Sequence, residues 1–202
     1  MEKDNHGDKP APDPSRGPGA ALIIIDMISD MAFDEAPDMA GCAINVARAI
    51  RRLRTTASRA GLPVIYVNDN FGEWTSERSR LIRRCEKAGE VPRQIINIIR
   101  PRKSDLFIIK PRHSGFYATN LQALLPRMGV SRLILTGMAT EMCVLFTAAD
   151  AHMRDYRLWV PEDCVAGASR QSHDFALDVL ERHFDAEVRP AASLALAAWL
   201  TD

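Results

Sequence analysis

Leu133-Ile134-Leu135-Thr136-Gly137-Met138-Ala139-Thr140-Glu141-Met142-Cys143-Val144-Leu145-Phe146-Thr147-Ala148-Ala149 changes its period halfway along. It opens with three apolar residues in a row, the pattern of a buried parallel strand. Gly137 breaks that strand and small residues follow. From Met142 the pattern becomes helical, with Met142, Leu145, Phe146 and Ala149 at i, i+3, i+4 and i+7 on one expected apolar face. Cys143 is thereby placed in the first turn of a helix that leaves a strand through a tight turn.

Unpaired N–H groups and the positive end of the helix dipole favour an anion at such a position. A thiol there is more easily deprotonated, and the thiolate is the nucleophile. Moving a thiol pKa from about 8.5 to near 7 takes roughly 2 kcal/mol. A helix N-terminus supplies under about 1 kcal/mol at an exposed site, so a charged partner must supply the rest. Read in isolation, Cys143 also fits a small buried hydrophobe, the commoner fate of a cysteine.

Residues Gly137 to Val144 resemble the nucleophile signature of the isochorismatase-like cysteine hydrolases. That family includes nicotinamidases, N-carbamoylsarcosine amidohydrolases and related amidases. The resemblance runs from about Ala20 to the C-terminus. It implies two further catalytic residues, an Asp ending the first strand and a Lys ending the third, which are Asp26 and Lys110 here. Asp26 would be the general base for Cys143, and Lys110 the cation that holds Asp26 and stabilises the thiolate. The resemblance also implies a cis peptide at Met138-Ala139, with the backbone N–H groups of Ala139 and Cys143 as oxyanion donors. A dimer or tetramer is implied as well.

Outward from this stretch, apolar strands are expected at 20–26, 63–67, 105–110, 157–160 and 187–189. Helices are expected at 42–60, 75–89, 93–99, 120–128, 169–184 and 191–200. Six strands alternating with helices make an α/β fold, a doubly wound (Rossmann-like) six-stranded parallel sheet with helices on both faces. The family's strand order would be 3-2-1-4-5-6. Ligands bind such folds outside the carboxyl ends of the strands, where Asp26, Lys110 and Cys143 all fall. Residues 1–19 are polar and carry four prolines, so a disordered tail is expected before a domain at 20–202. Arg48, Arg51, Arg52 and Arg54 read as a solvated helix face.

Asn68-Asp69-Asn70-Phe71-Gly72-Glu73-Trp74 follows the second strand. Metal-dependent nicotinamidases carry an Asp-x-His pair and a further His in this region. Here Asn70 and Phe71 follow Asp69, and no His lies between His6 and His113. One carboxylate and two amides bind zinc poorly, so no metal and no other cofactor is expected. The departure also counts against nicotinamide as substrate. Asn68, Asn70 and Trp74 could hydrogen-bond and stack on a substrate, or form a turn with an anchoring Trp. Phe33 could line the pocket or close a loop. Pro111-Arg112-His113-Ser114-Gly115-Phe116-Tyr117 resembles the family's loop into the next helix. Arg112 could pair with a substrate carboxylate, Phe116 is a further candidate contact, and His113 is a rival base in a Cys–His dyad.

Lys plus Arg and Asp plus Glu number 26 each in 202 residues, so the formal net charge is zero. That balance favours neither nucleic acid nor an acidic membrane surface as partner. The 4 cysteines show no C-x-x-C pair, which argues against a disulfide framework or zinc site. No apolar run is long enough to span a membrane. The expectation is a reduced, cytoplasmic enzyme: a cysteine hydrolase acting on a C–N bond of a small molecule through a thioester. Isochorismatase-type vinyl-ether hydrolysis and non-enzymatic small-molecule binding on the same scaffold are the alternatives.

Overall fold

The computed structural model describes residues 19–201. The expected N-terminal tail lies outside the described residues except for Gly19, which opens β1. The chain runs β1 (Gly19–Ile25), α1 (Ala36–Arg59), β2 (Val64–Asp69), α2 (Arg78–Lys87), α3 (Glu90–Ile99), β3 (Leu106–Lys110), α4 (Leu121–Arg127) and β4 (Val130–Met138). A π-turn (Thr140–Val144) leads into α5 (Leu145–His152). Then come β5 (Arg157–Trp159), a 3-10 turn (Glu162–Cys164), β6 (Val165–Ala166), α6 (Arg170–Phe184) and α7 (Leu196–Thr201). No helix among the described residues is long and apolar enough to cross a membrane.

All the strands are parallel, in the order β3-β2-β1-β4-β5. β1 is central and buried from Ala20 onward, and its residues alternate between two cores. Ala20, Leu22 and Ile24 face the core shared with α1, α2, α3 and α7. Ala21, Ile23 and Ile25 face the core shared with α4, α5 and α6. Each leucine or isoleucine among them contributes roughly 1.5–3 kcal/mol of burial. This two-sided demand is why the strand carries no alternation of polar and apolar residues.

The sixth strand differs from expectation. The 187–189 stretch makes one parallel bridge, Glu187 to Trp159, at the outer side of β5. β6 instead pairs with the end of β4, Gly137 with Val165 and Met138 with Ala166. β5 and β6 thus lie one after the other along the same edge of β4. Pro161 and the 3-10 turn interrupt them, because proline has no N–H to continue a ladder.

Three local readings are also corrected. α1 starts at Ala36 rather than residue 42, with Pro37 in its first turn and Asp38 beside the positive end of its dipole. Met142 and Phe146 are exposed, while Val144, Thr147, Ala148 and Ala151 face the sheet. Arg54 is buried, pairs with Asp105 at 3.4 Å, and donates to Tyr66 Oη at 2.6 Å and the Arg100 carbonyl at 3.1 Å. It fastens α1 to the α3–β3 connection. Ser169, by contrast, caps α6 as the sequence suggests, its hydroxyl accepting from the Ser172 N–H at 3.1 Å.

Gly137 has a φ of +116°, and a Cβ there would lie 1.9 Å from the Ile25 carbonyl oxygen. Only glycine lets β4 pass the end of β1 so closely. Gly137→Ala is therefore expected to cost at least about 3 kcal/mol in urea denaturation. A loss below about 1 kcal/mol, the ordinary glycine-to-alanine scale, would contradict this.

Candidate active site

The site lies at the carboxyl ends of three strands. Asp26 follows β1 directly and turns the chain with a φ of +52°. Aspartate is one of the few side chains that enters this left-handed region readily. Its N–H donates to the Val67 carbonyl at 3.0 Å. The Asp69 N–H donates to Asp26 Oδ1 at 2.7 Å. Lys110 ends β3, opposite Asp69 in the β2–β3 register. Its side chain has 0% exposure, and its Nζ lies 2.8 Å from Asp26 Oδ2. With β2 between β3 and β1, the Lys110 and Asp26 side chains together bridge one whole strand, across a backbone separation of about 10 Å.

Cys143 arrives from the other side. After β4 the Met138-Ala139 peptide is cis. The Ala139 carbonyl then accepts from both Met142 N–H and Val144 N–H at 3.2 Å. The second of these is the i to i+5 bond of a π-turn, a form common near functional sites. Thr147 Oγ1 donates to the Cys143 carbonyl at 2.6 Å and accepts from the Gly115 N–H at 2.9 Å. The turn is thus tied to the loop after β3. Lys110 Nζ lies 3.4 Å from Cys143 Sγ. Asp26, Lys110 and Cys143 therefore meet around one ammonium.

The electrostatics differ from a preformed thiolate. Burial pushes the Cys143 thiol up, and the Asp26 carboxylate adds to this; Lys110 opposes both without cancelling them. The expected depression of the thiol is corrected accordingly: the resting sulfur keeps its proton. Burial also raises Asp26 above the usual carboxylate value of 3.8, although Lys110 pulls it back. Burial alone would lower Lys110, but Asp26, the sulfur and Asp69 outweigh it and leave the ammonium held above its ordinary value. Asp26 is then a stronger base than a free carboxylate, next to a neutral thiol.

Asp69 is the residue the sequence reading passed over. Its Oδ2 lies 3.4 Å from Lys110 Nζ, and its Oδ1 accepts from the Phe71 N–H at 2.6 Å. Two carboxylates thus share one ammonium. The signal for it is the β2–β3 register, which sets it opposite Lys110 and exists only once the strands have paired. His113 stands on the solvent side, its Nδ1 3.9 Å from Cys143 Sγ.

Of the candidate substrate contacts, Asn68, Asn70 and Phe116 are engaged within the protein, whereas Trp74, Arg112 and Phe33 reach solvent. Asn68 is fully buried, accepting from the Ile28 N–H at 3.0 Å and donating to the Ile28 carbonyl at 2.9 Å. It ties the β1–α1 loop to β2. Asn70 Oδ1 accepts from the Gly72 N–H at 2.9 Å, closing a turn. Phe116 sits in the core beneath α4. Trp74 is 83% exposed, and Arg112 is also exposed. Phe33 lines a cavity of about 500 Å³ between the β1–α1 loop and the α2–α3 junction. A cavity of about 640 Å³ lies between α1 and the start of α6. Asp26, Lys110 and Cys143 line neither cavity. Among the described residues, no group of three His, Cys, Asp or Glu side chains has the geometry to hold a metal ion.

A family model described as the isochorismatase domain matches residues 20–193. The chain belongs to the isochorismatase family. It is 39% identical over 168 residues to the uncharacterized isochorismatase family protein YaaI of Bacillus subtilis, spanning 83% of this chain and 92% of that one. It is 28% identical over 169 residues to the ureidoacrylate amidohydrolase RutB of Yersinia enterocolitica, spanning 71% and 74%. The crystal structure of N-carbamoylsarcosine amidase from Thermoplasma acidophilum superposes with a TM-score of 0.66 at 30% identity, over 87% of this chain and 98% of that one.

The charge arrangement makes a signed prediction. Asp26→Asn removes a carboxylate that raises the thiol, so the pH midpoint of thiolate formation at Cys143 should fall. Ultraviolet thiolate absorbance, with Cys143→Ser subtracted, reads this directly. An upward or absent shift would contradict the arrangement.

Proposed function

We propose that this protein is a cysteine-dependent amidohydrolase that cleaves a C–N bond in a small amide, carbamoyl compound or ureide. The observation that carries the reading is the contact of one buried ammonium with both a carboxylate and a thiol, 2.8 Å and 3.4 Å away. The named activities of the RutB and N-carbamoylsarcosine amidase relatives support the bond type.

In this mechanism Asp26 takes the thiol proton as Cys143 Sγ attacks the carbonyl carbon. Lys110 offsets the negative charge that passes from carboxylate to sulfur. The backbone N–H groups of Ala139 and Cys143 receive the oxyanion. Protonated Asp26 then gives its proton to the leaving nitrogen. The C–N bond breaks, ammonia or an amine departs, and a thioester remains on Cys143. Water releases the acid and restores the thiol. All four cysteines are free, which suits a thiol enzyme in a reducing compartment.

A panel of primary amides, N-carbamoyl amino acids and ureido acids tests the reading. Turnover of at least one is expected, and Cys143→Ser and Asp26→Asn should each lower kcat at least about a thousandfold with the fold retained. The acid limb of kcat/KM follows from the direction of the Asp26 shift. Once protonated, Asp26 cannot accept the thiol proton, and its carboxyl holds that proton to a pH above the usual 3.8. Activity should therefore fall away on the acid side at a pH above 3.8. Either variant keeping most of its activity would refute the assignment.

A further inference from the structure

The sulfur of Cys143 has two kinds of neighbour. Asp26 and Lys110 are buried, at 8% and 0% exposure. Both Asp26 oxygens are already engaged, Oδ1 by the Asp69 N–H and Oδ2 by Lys110. His113 is exposed, and its Nδ1 is 3.9 Å from the same sulfur. Its ring packs against Phe146 with centroids 5.6 Å apart, which accounts for an otherwise unexplained exposed aromatic. Its loop is anchored next door, by Ser114 Oγ donating to Asp150 and by the Gly115 N–H donating to Thr147 Oγ1. Thr147 in turn holds the Cys143 carbonyl. The imidazole is therefore tied to the turn that carries the nucleophile.

We propose that His113 is a catalytic base for the second half-reaction, activating the water that hydrolyses the Cys143 thioester, while Asp26 serves thiol and leaving amine in the first. The proposal rests on Cys143 being the nucleophile. The thioester carbon is one bond from the sulfur, so a water between that carbon and His113 is within hydrogen-bond reach of the ring. Imidazole is the side chain best suited to take up and return one proton per cycle near neutral pH. His113 takes a proton from the water as the new C–O bond forms. The tetrahedral intermediate collapses, the C–S bond breaks, and the departing sulfur receives the proton from the imidazolium. The acid leaves, and thiol, neutral imidazole and Asp26 carboxylate are all restored. A carboxylate as buried as Asp26 is poorly placed to meet a water from bulk solvent.

p-Nitrophenyl acetate separates the two halves. Release of nitrophenolate in a burst reports acylation, and the slow phase reports hydrolysis of the acetyl thioester. For His113→Gln and His113→Asn the burst rate and amplitude should stay within about twofold of the parent. The slow phase should fall about 100-fold, the usual scale for a lost general base. Mass spectrometry should find the acetyl group accumulating on Cys143, and hydroxylamine should restore turnover by attacking the thioester directly. An equal loss in both phases would place His113 in the first half and overturn the proposal. No change in either phase would make it a surface residue and overturn it too. If the parent protein gives no acetyl adduct on Cys143 while Cys143→Ser behaves identically, the nucleophile assignment itself fails.

Discussion

One ammonium with no access to water dictates much of this structure. An isolated charge in such a place is strongly unfavourable, and the group persists only where opposite charges surround it. Asp26 and Asp69 provide them, from β1 and β2, to a lysine that belongs to β3. The three strands are therefore locked at their carboxyl ends by side chains as well as by the ladder. Asp26 is held in turn by the Asp69 N–H, and Asn68 fastens the loop beyond Asp26. Two negative groups around one positive group leave the cluster with an excess negative charge. Burial, with the Asp26 carboxylate adding to it, holds the nearby thiol up, so a proton has to leave the sulfur before it can act as a thiolate.

The sulfur reaches the cluster through constraints of shape. Gly137 lets β4 pass against the Ile25 carbonyl, so the chain emerges beside Asp26. The π-turn then sets Cys143 above the lysine, and Thr147 clamps that turn to the loop after β3. The same loop carries His113. The Cys143 sulfur, the buried Asp26 carboxylate and the exposed His113 imidazole are thus mechanically coupled, although they lie far apart in sequence.

What was legible in the sequence was what local pattern controls. The unbroken apolar run of β1 announced a central parallel strand, and Ser169 announced the start of α6. Asp26 and Lys110 each follow an apolar run directly, and Cys143 lies in the first turn of the helix expected after one, so their placement at one rim could be read from strand ends and the family resemblance. What was hidden depended on contacts distant in sequence. α5 carries two stripes of equal period, one of large residues and one of small; close approach to the sheet selected the small one and left Met142 and Phe146 outside. Arg54 read as a surface arginine because Asp105 and Tyr66 reach it only in the folded chain. Asn68 read as a ligand contact because its partner, Ile28, lies 40 residues away. The sixth strand moved because Pro161 stops β5 and lets the chain rejoin β4 further on.

The central claim is that Asp26 and Lys110 form a coupled buried ion pair around which the rim is built. A double-mutant cycle on chemical stability with Asp26→Asn, Lys110→Met and the pair together measures it most directly. Lys110→Met should cost about 3–5 kcal/mol, since it strands a buried carboxylate, and Asp26→Asn less, since Asp69 stays beside the ammonium. The double variant should cost well under the sum, with a coupling above about 1.5 kcal/mol. Additivity to within about 0.5 kcal/mol would mean the two groups do not depend on one another, and would contradict the account.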